Sequence, residues 1–176
     1  MNKPIVIIYI ILLFCLFLLI KECKSSNLEL INLNNKIEKY VSKINPSLNE
    51  NQLKDISLFI INESIYYNIP WIITLAIMEV ESHFNPKAVS PVGAKGLMQV
   101  YTLKCCGINF NKEQLFNIQY NISAGLCIFR DKLKISNYNL IKAIGLYNGT
   151  GPDARKFVIR VLDILNKLNK EFYIIY

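Results

Sequence analysis

The sequence predicts an all-α domain behind a single N-terminal hydrophobic helix. From Asn51 onward, apolar residues recur at intervals of three and four, the period of a helix with one buried face. Clusters of Asn, Pro and Gly punctuate these runs, as at residues 68–70 (NIP), 85–96 and 148–152 (NGTGP). No pair of alternating segments with a tight turn between them marks a hairpin, and no segment repeats.

The elements follow in order. Met1–Lys3 gives a short positive start, and residues 5–20 (IVIIYIILLFCLFLLI) form an uncharged apolar run closed by Lys21. That length falls a little short of the ~20 residues that span a bilayer comfortably, and suits a signal-peptide core of about 7–15 almost as well. Residues 1–26 therefore read as a signal anchor or a signal peptide. "KECKSS" offers only Cys23 and Ser25 as a weak cleavage pair, and the residues before Cys23 do not suit a lipoprotein signal, which favours the uncleaved anchor. In both cases the rest of the chain is exported.

Residues 27–49 read as a polar stalk or short helix, with a weak pattern of Leu28, Ile31, Leu33, Ile37 and Val41. The domain proper is expected over 50–176. Leu53, Ile56, Phe59, Ile60 and Ile65 mark its first helix, which "NIP" stops, and Pro70 is placed to start the next. Trp71–Glu81 (WIITLAIMEVE) is apolar almost all round, the pattern of a helix buried on most sides. Residues 83–95 read as loop, 94–101 as a short helix, and 118–133, 140–147 and 153–168 as three more helices.

Charge and cysteines bound the function class. The net charge is +7, and about +5 remains when Lys3, Lys21 and Lys24 are set against Glu22 and removed with residues 1–26. The lysines are dispersed, without the Arg-rich helix or aromatic–basic alternation of a nucleic-acid surface, so no nucleic-acid partner is expected. A mild positive charge suits an anionic polymer, or simply reflects lysine as the solvated residue of an Ile/Asn/Lys-rich chain. Cys105, Cys106 and Cys127 lie in the domain; with no CxxC and His83 as the one histidine, a zinc site is not expected, nor any cofactor. Cys127 either bridges to Cys105 or Cys106 or remains a buried thiol.

The chemistry concentrates in "MEVESHFNPKAVSPVGAKGLMQV", residues 78–100. Glu81 ends the greasy helix, with Met78 and Ile77 three and four residues before it. A carboxyl held against apolar surface loses hydration, which raises its pKa and fits it to donate a proton near neutral pH. Glu79 lies about 200° away around the helix, so the two glutamates cannot act on one substrate atom. Periodicity alone does not decide which of them faces a cleft; the polar loop after Glu81 favours Glu81.

The order of residues goes further. Glu81-Ser82, Asn85-Pro86, Ala88-Val89-Ser90, Gly93-Ala94-Lys95-Gly96 and Leu97-Met98-Gln99 follow one another without a gap. This stretch closely resembles the lytic transglycosylases of the soluble (SLT) type, relatives of goose-type lysozyme. Asn121-Ile122 with Ala124-Gly125, and Tyr147-Asn148-Gly149, are similar to two later elements of that family, so the likeness covers about residues 60–160. It implies a lysozyme-like helical fold and a peptidoglycan lytic transglycosylase, with Glu81 as the single acid/base. Glu81 would protonate the oxygen between N-acetylmuramic acid and N-acetylglucosamine, then accept the proton of the muramic 6-hydroxyl as a 1,6-anhydro ring closes. By the same resemblance Ser90, Met98, Gln99, Asn121 and Tyr147 bind substrate.

Each of these residues also has an ordinary role. Ser90 precedes Pro91 in a turn, Met98 suits a core, and Asn148-Gly149 suits a helix stop. Where the family often carries Met-Pro-x-Thr-Ala after Leu-Met-Gln, this chain reads "VYTLKCC". The expected partners are peptidoglycan glycan strands, an inner-membrane anchor, and a secretion, conjugation or phage-related apparatus, with general wall turnover equally suited. The implied location is the cell envelope: anchored in the inner membrane facing the wall, or secreted if the N-terminal segment is cleaved. Two alternatives stay open, a lysozyme-type hydrolase on the same fold and a non-catalytic glycan-binding or assembly module.

Overall fold

The computed structural model describes Lys21 and residues 27–101, 104–105 and 108–172. The apolar run 5–20 lies outside the described residues; among those described, no helix is long and apolar enough to cross a membrane. The chain divides into residues 1–36 and a compact unit, Ile37–Tyr176. In the first, residues 27–36 are helical, and the Asn34 side chain donates to the Leu30 carbonyl at 3.1 Å.

The compact unit is a helical bundle. Residues 37–44 form α1, followed by α2 (Glu50–Tyr67), α3 (Trp71–Ser82), α4 (Ile118–Ile135), α5 (Leu140–Asn148) and α6 (Pro152–Phe172). Helix ends follow local chemistry. Asn49 and Gln52 make a reciprocal capping box at the start of α2, and Asn68, left-handed, closes its end. Asn117 and Asn139 cap α4 and α5 through their side-chain oxygens.

α3 is the central helix. Ile72 through Glu79 are all buried, as its all-round apolar pattern predicts. α6 packs on α3 and α5, while α2 packs on α3 and α4 and α5 packs on α4. Ile56, Ile60, Leu75, Ile77, Leu126, Phe129, Ile144, Phe157 and Val161 fill the core.

Three segments differ from the sequence expectation. Ile37, Tyr40 and Val41, in the segment expected as a polar stalk or short helix, are helical but fully or almost fully buried, because their i, i+3, i+4 spacing gives α1 an apolar stripe that joins the core. Residues 94–101 are not a helix. Lys95 pairs with Val89 and with Val100 through isolated bridges around a four-residue turn, since Gly93, Gly96 and Gln99 take φ of 90°, 75° and 46°, outside the helical region. Finally, a short antiparallel pair, β1 (Lys104–Cys105) and β2 (Ile108–Asn109), stands where the sequence marks no hairpin. Cys105 and Cys127 are buried, and Cys106 lies outside the described residues.

Candidate active site

Glu81 occupies the last turn of α3, where the helix leaves the core. The chain turns sharply after it, with His83 and Phe84 both left-handed at φ 50° and 60°. Ser82 ties this end to the following loop, donating its hydroxyl to the Leu97 carbonyl at 2.7 Å. Glu81 thereby reaches the wall of a cleft of about 410 Å³, lined also by Ser90, Gln99, Ile128, Lys132 and Tyr147. That size falls in the range of about 300–1,000 Å³ typical of ligand pockets. Burial raises the Glu81 pKa from 4.5 to about 7, with Arg160 pulling the other way. The carboxyl therefore keeps its proton up to about pH 7.

Glu79 belongs to a different environment. Its side chain is only 8% exposed; it accepts a hydrogen bond from the Tyr40 hydroxyl and pairs with Lys167 at 3.5 Å. Burial and the Glu79 contact raise the Tyr40 pKa, keeping the phenol a donor. Among the described residues, Glu81 is the one carboxylate lining the cleft.

The cleft loop is assembled from both sides. The Ser90 hydroxyl accepts from the Ala94 amide at 3.0 Å, while the Ser90 amide donates to the Ala94 carbonyl at 2.9 Å, closing a tight turn. The Gln99 amide group donates to the Gly96 carbonyl at 2.9 Å and to the Ala88 carbonyl at 3.3 Å. Tyr147 is half-buried, its hydroxyl donating to the Met98 carbonyl at 2.8 Å. Burial and the neighbouring Glu81 push the Tyr147 pKa well above its ordinary value, so it stays a neutral donor.

Met98 and Asn121 stand behind this surface and do not line the cleft. Met98 is fully buried against Gly125, where any Cβ would strike its side chain. Asn121 is buried and makes three backbone bonds, two to the loop and one to the 3-10 turn at 114–116: its oxygen accepts from the Met98 amide at 2.8 Å, and its nitrogen donates to the carbonyls of Lys95 and Leu115, each at 2.8 Å. A side chain on Gly96 would collide with Asn121 and with the Leu115 carbonyl. Both residues shape the loop from within.

Ile128 and Lys132, not among the residues expected from the sequence, form the α4 wall of the cleft. Their signal was present: positions 121, 125, 128 and 132 follow the stripe of one helix face. Val92 and Tyr101, exposed on the rim, carried no such signal.

Residues 58–160, more than half the chain, match the family model described as the transglycosylase SLT domain. The chain belongs to that SLT family. Over 78 residues it is 44% identical to the membrane-bound lytic murein transglycosylase C of Glaesserella parasuis serovar 5 (strain SH0165), a match covering 38% of this chain and 21% of the relative. The chain thus aligns with about a fifth of that relative's length. Among solved structures, the lytic transglycosylase Slt of Pseudomonas aeruginosa superposes with a TM-score of 0.57 at 19% identity, covering 66% of this chain and 24% of that one. The 70 kDa soluble lytic transglycosylase of Escherichia coli gives 0.50 at 19% identity, over 82% and 28%. At that identity the two structures establish the SLT fold.

Proposed function

We propose that this SLT domain cleaves the β-1,4 bond between N-acetylmuramic acid and N-acetylglucosamine in peptidoglycan, leaving a 1,6-anhydro muramic end. The observation that carries the reading is a lone carboxyl on the cleft wall whose pKa burial raises to about 7. In its neutral form Glu81 donates its proton to the departing glycosidic oxygen as the C1–O bond breaks. The resulting carboxylate then takes the proton of the muramic 6-hydroxyl, whose oxygen bonds to C1. Glu81 ends as it began, protonated. Two-carboxylate glycosidases need a second carboxyl about 5–9.5 Å from the first to supply a nucleophile or activate water. Glu79 is committed to Tyr40 and Lys167, so a substrate that supplies its own nucleophile fits the cleft better than hydrolysis does.

Ser90, Gln99 and Tyr147 line the cleft and would bind the glycan. Met98 and Asn121 would serve by shaping the loop that presents Gln99. The name of the Glaesserella relative supports murein as the substrate and a membrane-bound setting. Residues 5–20 would then tether the domain at the cell envelope, or direct its secretion, in general wall turnover or beside a wall-crossing apparatus.

Digestion of purified sacculi, read by mass spectrometry of the released muropeptides, tests the reading. Anhydro-muramic products that disappear with Glu81→Gln are expected. Exclusively reducing ends would make the protein a lysozyme-type hydrolase, and binding without cleavage would make it a glycan-binding module.

A further inference from the structure

Beside the Ser82 bond to Leu97, a second set of contacts holds the Glu81 helix from outside the stretch that the family model matches. Tyr40 of α1 donates its hydroxyl to Glu79, two residues before Glu81. Asn45, just past α1, donates its side-chain nitrogen to the Phe84 carbonyl at 3.2 Å, three residues after Glu81. Lys167 of α6 reaches Glu79 at 3.5 Å and stands 5.0 Å over the Tyr40 ring. Phe172 of α6 packs edge-on against Tyr40 at 6.0 Å and tilts against Trp71, the first residue of α3, at 5.1 Å. Lys43 and Glu171 join α1 to α6 at 2.7 Å. Tyr40, Asn45 and Lys167 all lie beyond the matched residues 58–160.

Stability alone does not call for this arrangement. A buried carboxylate with one phenol and one half-exposed lysine recovers its desolvation cost poorly, and an apolar side chain on this greasy helix would serve packing at least as well. Directional contacts add orientation. Glu79 and Glu81 project about 200° apart, so pinning Glu79 toward α1 and α6 turns Glu81 toward the cleft. The Asn45 bond fixes the opposite side, where two successive left-handed residues leave the helix end.

We infer that Tyr40, Asn45 and Lys167 are positioning residues, setting the rotation and end point of α3 through Glu79 and the Phe84 carbonyl and so placing Glu81 against the glycosidic oxygen. The inference rests on Glu81 being the acid of the proposed reaction. Misplacing a catalytic group by 1 Å costs on the order of 10²-fold in rate. Arg160 and Tyr147, the charged and titratable groups coupled to Glu81, belong to neither contact.

The test uses the full chain with Y40F, N45A, K167M and E79Q, measuring kcat and KM on soluble glycan strands and titrating the Glu81 carboxyl by 13C NMR. Y40F keeps the ring packing and removes only the hydroxyl. It should lower kcat about 10-fold with KM within about twofold, and N45A should act in the same direction. The Glu81 titration midpoint should fall as the loosened helix end admits water. E79Q, whose amide oxygen still accepts the Tyr40 hydroxyl, should lose less than Y40F. Folded Y40F and N45A that melt earlier, yet keep wild-type kcat and an unmoved Glu81 titration, would reduce the contacts to ordinary packing and overturn the inference. Should Y40F fail to fold, N45A carries the test from the other side of Glu81. A wild type that yields no anhydro product refutes the proposed reaction, while the NMR titration still decides whether the clamp holds Glu81.

Discussion

Replacing Glu81 with Gln should stabilise the protein, and by an amount set by pH. The wild-type carboxyl titrates at about 7 when folded and near 4.5 when unfolded. Between these values the folded state holds a proton that the unfolded state has released, so wild-type stability falls as pH rises from 4.5 to 7. At about 1.4 kcal/mol per pH unit, the full difference is about 3 kcal/mol. Gln is close in shape to the protonated acid and does not ionise, so it escapes the loss. E81Q and wild type should be nearly equal in stability at pH 4, diverge through pH 5–7, and differ by about 3 kcal/mol at pH 8. For a chain of this size that is roughly 6–12 °C in melting temperature. Paired urea titrations across the range read the difference directly, because every other titrating group is common to the two proteins. A gap that stays constant with pH would refute the reasoning, since it would mean that Glu81 titrates as a solvated carboxyl.

The same carboxyl predicts that cleavage weakens as pH rises through about 7, because the first step needs Glu81 protonated; a kcat/KM profile still rising at pH 8 would count against it. Asn121→Ala should cost about 3 kcal/mol by denaturant midpoint and lower activity, since it removes three backbone bonds, two of which hold the loop that carries Gln99. Gly125→Ala should cost about 1–3 kcal/mol through collision with Met98, and combining it with Met98→Ala should cost less than the sum of the two in a double-mutant cycle.

Periodicity was enough to read α2 through α6 from the sequence, because each buries an apolar stripe at helical spacing. It failed at residues 94–101, where Ala, Leu, Met and Gln suggest a helix and two residues at positive φ, Gly96 and Gln99, forbid one. Glu81 stood out through the ordered residues that follow it. The commitment of Glu79 could not be read, because its partners lie 39 and 88 residues away and no local pattern reports contacts at that distance. Asn121 stood out by resemblance alone, and its three backbone bonds depend on how α4 meets the loop, which is a property of packing.

That Asn121 arrangement has a consequence for anyone wishing to transplant the cleft. The shape of residues 95–98 is specified by an amide on a helix more than twenty positions later, against a bare glycine that leaves room for it. A loop copied alone onto another bundle would arrive without its template. The smallest portable unit is the loop together with Leu115 and the first two turns of α4, and position 96 should stay glycine whatever stands at 121, because the Leu115 carbonyl and a φ of 75° bar a side chain there.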